Sequence, residues 1–302
     1  MSSFWSLYIV LLTGANIAAA WWLIRWTAKP RKGEVAATET TGHVWDENLT
    51  EYNKPMPRWW LYLFYLSIVF AVIYLILYPG MGNFRGLLGW TQLNAYESQM
   101  AQAEQTYGPI FQQYGTTDLI ALSQDPEAMG TASRLFANNC AACHGSDARG
   151  GLGFPNLTDG DWLYGGNPET IRESILKGRS GMMPPLGAAL GEEGIGEVAQ
   201  YVLSLSGRPS NPVQAAAGQQ KFAMLCAACH GPEGKGTPAM GAPNLTDNIW
   251  LYGGSVDTIE QTIRGGRQGR MPAHEALLGA DRVHLIAAYV YGLSHRDEPS
   301  KP

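Results

Sequence analysis

The stretch Cys140-Ala141-Ala142-Cys143-His144 recurs letter for letter as Cys226-Ala227-Ala228-Cys229-His230, and the two copies use all four cysteines of the chain. Two thiols separated by two residues can hold a metal, cycle through a disulfide, or take a cofactor covalently. A four-cysteine zinc site would need both pairs, yet each pair sits inside its own repeated unit. A thioredoxin-like redox pair needs a strand-to-helix setting that the sequence does not offer. Histidine directly after the second cysteine selects the third chemistry, because C-x-x-C-H is the attachment sequence for c-type haem. The two thiols of each copy form thioethers with the porphyrin vinyl groups, and the adjoining imidazole, His144 or His230, reaches the iron from one face. Two motifs predict two covalently bound haem c groups.

The opposite iron face decides what such a haem can do. Downstream of each motif stands a methionine followed by proline, in GRSGMMPP and GRQGRMPA. Alignment of the copies pairs Met183, rather than Met182, with Met271, so the expected iron ligands are His144, Met183, His230 and Met271, each methionine by default within its own repeat. His274 is a competing ligand in the second copy, but the first has no histidine to match it. Iron held by His and Met has no open position, and thioether ligation raises the potential. Such haems relay electrons and catalyse nothing themselves, so no catalytic residue is expected. Pro155 and Pro243 are expected to offer carbonyls to the imidazole N–H groups, Arg179 and Arg267 to lie near haem propionates, and Trp162 and Trp250 to pack on the macrocycles.

These residues must be positioned by a duplicated helical unit. The offset between copies is 86 residues at the cysteines (140 to 226) and 88 beyond them, where Pro155–Asp159 falls on Pro243–Asp247 and Trp162–Gly166 on Trp250–Gly254. Two copies signal tandem domains rather than a solenoid, which needs three or more. Each copy predicts a helix running into the motif, a second over 168–177 or 256–264, and a third over 193–206 or 281–294, with Gly- and Pro-rich loops between. Residues 208–212 read as a stiff linker, and 81–128 as a connecting segment with a polar helix near 92–105. No strand pattern stands out, and an all-α fold is expected.

The 302 residues are 45% hydrophobic with a net charge of -5, but the apolar residues are clumped. Residues 4–24 and 59–79 carry no charge, and runs of about 20 apolar residues match the hydrocarbon thickness of a bilayer. The first run lacks a basic leader, and Trp21-Trp22 follow the supposed cleavage site at Ala18-Ala19-Ala20, so a retained helix is expected rather than a cleaved signal. Arg25, Lys29, Arg31, Lys32, Lys54 and Arg58 lie between the runs, which places that connection in the cytoplasm and everything beyond residue 80 on the periplasmic side of an inner membrane. The expected organisation is a transmembrane helical hairpin (1–80), a linker (81–128) and two haem domains (129–207 and 208–302). Trp21, Trp22, Trp26, Trp59 and Trp60 would form an interfacial belt, and the Gly14, Ala15, Ala18, Ala19 face with Asn16 would meet another helix. No nucleic-acid partner is expected.

The segment YNKPMPRWWLYLFYLSIVFAVIYLILYPG (52–80), followed by GLLGW and the two CAACH units, resembles the dihaem cytochrome c subunit family (CcoP, subunit III) of cbb3-type haem-copper oxidases. The similarity covers nearly the whole chain, although many members have a single membrane helix. It implies two class I cytochrome c domains that pass electrons from a donor cytochrome c, through a monohaem subunit, to the oxygen-reducing haem-copper subunit. It also leaves open that each methionine serves the other repeat's haem. The alternative readings are a membrane-anchored dihaem shuttle for another dehydrogenase or reductase, and a dihaem peroxidase, which would need one haem face able to open.

Overall fold

The computed structural model describes residues 1–29 and 32–295. Arg31 of the basic connection, and the last seven residues of the 208–302 segment, lie outside the described residues. The chain divides into two compact units, Met1–Gln105 and Thr106–Pro302.

The first unit holds α1 (Ser3–Thr27), a hairpin of β1 (Thr40–Trp45) and β2 (Leu49–Tyr52), α2 (Arg58–Leu77), and the start of α3 (Gln92–Thr116). Helices α1 and α2 bury no residue within the chain and are apolar all round, the pattern of a helix whose surroundings are themselves apolar. By length and composition both could cross a membrane. The turn after α2 meets the start of α1, where the Asn83 N–H donates to Ser6 Oγ at 2.8 Å.

The second unit continues α3 and adds α4 (Leu119–Ser123), α5 (Pro126–Asn139), α6 (Ala141–His144), α7 (Pro168–Lys177), β3 (Arg179–Met183), α8 (Gly187–Leu205), α9 (Pro212–Leu225), α10 (Ala227–His230), α11 (Val256–Gly265), β4 (Arg267–Met271), α12 (Glu275–Leu278) and α13 (Ala280–Ser294). Helix starts follow local chemistry. Pro126, Pro168 and Pro212 occupy first-turn positions, and Asp125, Asn167 and Asn211 accept backbone N–H bonds ahead of them, satisfying donors the helix itself leaves free. Helices α7 and α11 bury only Ile171, Ile175 and Ile259, Ile263, four residues apart on one face. Helix α8 bends at Gly191, whose φ of 63° breaks the helical run.

The unit has two hydrophobic cores, and each is built from both repeats. In the first, Phe136 of α5 and Ile171 and Ile175 of α7 meet Val283, Ile286 and Val290 of α13. In the second, Ile195, Val198 and Val202 of α8 meet Phe222 of α9 and Ile259 and Ile263 of α11. The last helix of each repeat therefore packs against the other repeat's first two. Strands β3 and β4 carry the chain across and pair antiparallel where they pass, with Arg179 opposite Met271, Gly181 opposite Gly269 and Met183 opposite Arg267. Because Gly181 and Gly269 are themselves equivalent positions, the ribbon's midpoint is a local two-fold axis. The same symmetry recurs beside it, where Leu186 N–H donates to Ile263 O at 3.0 Å and His274 N–H to Ile175 O at 3.1 Å.

The chain is mostly helical, as expected, but the expectation of no strands is corrected by two small two-stranded sheets. Neither had a readable pattern. Strand β3 is Arg-Ser-Gly-Met-Met, poor in β-branched residues, and pairs only because the crossing brings β4 alongside. The β1–β2 hairpin turns through Asp46 and Glu47, at φ of 45° and 71°, rather than through the glycine such a turn usually advertises.

Candidate haem sites

Each C-x-x-C-H motif begins where a helix ends. Helix α5 stops at Cys140 and α9 at Cys226, and one further helical turn carries the chain to the histidine, whose N–H returns to the first cysteine's carbonyl at 3.0 Å for His144 and 2.9 Å for His230. That turn puts both thiols and the imidazole on a short, rigid step. The loop beyond is folded back by Gly150 N–H to His144 O at 2.7 Å and by Gly236 N–H to His230 O at 2.8 Å. A side chain at Gly150 would come within 2.3 Å of Phe154 O, so glycine is required for this close return.

The return delivers a proline carbonyl to each histidine. Nδ1 of His144 lies 3.0 Å from Pro155 O, and Nδ1 of His230 lies 3.1 Å from Pro243 O. A carbonyl only accepts, so Nδ1 carries the hydrogen and Nε2 keeps its lone pair. This is the orientation and tautomer that a metal-bound histidine needs. Burial holds the His230 side chain below the usual histidine range, against the raising effect of the Pro243 bond, which favours the neutral imidazole required of a ligand.

The thiols are free, with Cys226 buried, Cys140 and Cys229 partly buried and Cys143 exposed. Burial first, and the neighbouring thiol second, push Cys140 and Cys226 up to about 11. A redox-active C-x-x-C pair shows the opposite, a thiol pulled down by its surroundings. The two pairs also sit against different cores, which argues against one shared four-thiolate site.

Met271, at the end of β4, packs against the first core, as does Cys140, whereas Met183, at the end of β3, packs against the second core, which holds Cys226. This is not the within-repeat arrangement expected from sequence; each methionine lies with the other repeat's cysteines. Met182 is exposed, whereas Met183 is half-buried. Trp162 packs on the first core and Trp250 on the second. Trp250 Nε1 is buried and, among the described residues, has no hydrogen-bond partner. The donor set in each half therefore fits a covalently held haem: two thiols, an oriented imidazole and a thioether.

Arg179 and Arg267 lie at the starts of the two strands. The Arg179 guanidinium sits 4.9 Å over the Tyr164 ring and that of Arg267 4.6 Å over Tyr252, while their Nε atoms donate to Ser174 Oγ and Thr262 Oγ1, both at 2.9 Å. Sequence reasoning singled out the arginines but missed these supports. The signal was present, since Tyr164 and Tyr252, like Ser174 and Thr262, stand 88 residues apart. His274, anchored by its backbone to Ile175 and to Leu278, keeps a buried Nδ1 that has no partner among the described residues.

Comparison with known proteins identifies the family. Residues 37–85 match the family model described as the N-terminal domain of cytochrome oxidase-cbb3, FixP, and residues 127–202 and 213–290 match that of cytochrome c oxidase, cbb3-type, subunit III. The chain is 48% identical over 294 residues to the cbb3-type cytochrome c oxidase subunit CcoP of Rubrivivax gelatinosus, covering 97% of this chain and 96% of that one. It is 42% identical to subunit FixP of Bradyrhizobium sp. (strain ORS 278), with 86% and 96% covered, and 40% identical to subunit CcoP of Cereibacter sphaeroides, with 88% and 98% covered.

Proposed function

Because this chain belongs to the family of subunit III of cbb3-type cytochrome c oxidases, we propose that it carries electrons from a donor cytochrome c through two covalently held haems toward the oxygen-reducing subunit of that oxidase. Each haem, when bound, supplies a one-electron ferric–ferrous couple whose His–Met ligation favours the ferrous form. Cys140 and Cys143 hold the first through thioethers and Cys226 and Cys229 the second. His144 and His230 offer Nε2, and the Pro155 and Pro243 carbonyls fix their rings. Met271 completes the first site and Met183 the second, so each ligand set draws on both repeats. The partners are the catalytic haem-copper subunit and a monohaem cytochrome c subunit of the same complex.

Helices α1 and α2 form the membrane anchor as a hairpin, with the basic connection in the cytoplasm and the haem unit in the periplasm. The Asn83–Ser6 hydrogen bond supports that pairing, since it brings the end of the second span to the start of the first.

The observation that carries the haem reading is the matched pair of Nδ1–carbonyl bonds at 3.0 and 3.1 Å, each behind a histidine fixed one turn after its first cysteine. Met183→Leu in the purified complex tests the ligand assignment. The methionine–ferric charge-transfer band should be lost from the haem attached at Cys226 and kept by the one attached at Cys140. Loss from the Cys140 haem would reject the crossed assignment, and a stoichiometry other than two haems c per chain would reject the reading as a whole.

A further inference from the structure

The two sites differ in ways that the repeat symmetry makes measurable. Directly opposed residues of an antiparallel ribbon share a face, with Cβ atoms about 4.5–5.5 Å apart. Arg179 is thus the neighbour of Met271, and Arg267 the neighbour of Met183. Each guanidinium is held in place by a tyrosine ring and a hydroxyl.

The surroundings of these two cations are not equivalent. Glu173 Oε2 lies 3.7 Å from Arg179 Nη2. The position equivalent to Glu173 is Gln261, and among the described residues no carboxylate stands within ion-pair distance of Arg267. Glu173 also accepts from Lys177 Nζ at 3.3 Å, but that lysine is mostly exposed and its charge is screened by solvent. The Arg179 cation is therefore partly neutralised at close range and the Arg267 cation is not.

A second, independent difference lies on the histidine side. His230 and Cys226 are 9% and 8% exposed, whereas His144 and Cys140 are only partly buried. An uncompensated cation and a low-polarity surrounding both disfavour the more positive, ferric form of an iron centre.

We propose that the site at Cys226–His230 has the higher reduction potential of the two, and that the Glu173/Gln261 difference beside the ribbon arginines helps set the gap. The quantity is a one-electron couple at each iron, with no atom transferred and no bond made or broken. The proposal rests on the crossed methionine assignment. It makes the first site the lower-potential, donor-side station within the chain and the second the station on which an electron comes to rest. Glu173 and Gln261 act through the arginines and are positioning residues.

The test is a spectroelectrochemical titration of the detergent-purified complex, with each haem c assigned to its attachment site by the spectrum altered in His144→Met or His230→Met and to its methionine by the charge-transfer band lost in Met183→Leu or Met271→Leu. In the unaltered complex the haem attached at Cys226 should be reduced first. Glu173→Gln should raise the potential of the other haem, and Gln261→Glu should lower that of the Cys226 haem, each leaving its counterpart in place. A reversed order, or substitutions that leave both couples unmoved, would overturn the inference while the ligand assignment stands. If the two methionine variants instead report within-repeat ligation, that assignment fails, and the inference falls with it.

Discussion

If each core is assembled from both repeats, truncating a side chain in one repeat should loosen the haem site of the other. Ile286 lies in the second repeat, on α13, and is fully buried in the core beneath Cys140. Ile286→Ala removes three carbons, worth about 2.4 kcal/mol at about 0.8 kcal/mol each. The cavity left behind in a close-packed site carries the total into the upper part of the roughly 2–5 kcal/mol range for such truncations. For a unit of this size each kcal/mol lowers Tm by roughly 2–4 °C, so a fall of about 7–20 °C is expected. Ile195→Ala on α8 is the matched control, since Ile195 is equally buried but lies in the core that holds Cys226. Because both cores belong to one cooperative unit, the decisive readout is local. The paramagnetically shifted resonances of the two haems, assigned by the cysteines to which each is attached, should show the Cys140 haem broadened by Ile286→Ala and the Cys226 haem broadened by Ile195→Ala. The reverse pattern would refute the crossed packing, whatever the change in Tm.

Two other outcomes follow from the same geometry. Gly178 precedes β3 at φ +72°, and a Cβ there would come within 2.4 Å of Met271 O, so Gly178→Ala should cost about 1–3 kcal/mol of backbone strain. It should also weaken the Met271 charge-transfer band, read by absorbance alongside a thermal melt. Burial first, then Asp247 and Asp159, raise the Asp161 carboxyl above the usual carboxylate range. The folded form thus holds its proton more tightly than the unfolded form, and stability falls as pH rises through the folded value. Asp161→Asn should raise Tm at neutral pH and leave it unchanged once the medium is acidic enough to protonate the wild-type side chain, a comparison made by melting both proteins across that window.

The two C-x-x-C-H motifs and the prolines behind their histidines were legible because each is a local pattern repeated at a fixed offset. Helices α7, α11 and α13 were legible from apolar spacing, within a residue or so of their observed ends. Helix α3 runs about a dozen residues past its expected end, through Pro109, because apolar contacts from Phe111 and Tyr114 continue it into the core. What no local pattern could supply was partner choice. The third helix of each repeat presents nearly the same apolar face, and two nearly identical grooves are available to it. Ile195 and Val283 are equivalent positions, both fully buried, yet each sits in the core founded by the other repeat. Five extended residues rise about 16 Å, enough to carry the chain from one groove to the other, and nothing in Arg-Ser-Gly-Met-Met says that they do.

The linked halves have a kinetic corollary. Tandem redox modules on a flexible tether exchange charge only as often as they collide, so thicker solvent slows them. Here each half is closed by a helix from the other, and the spacing between the two proposed haem sites becomes a constant of the polypeptide. Passage of charge inside this chain should then be indifferent to added glycerol, and only the encounter with the external donor should feel it.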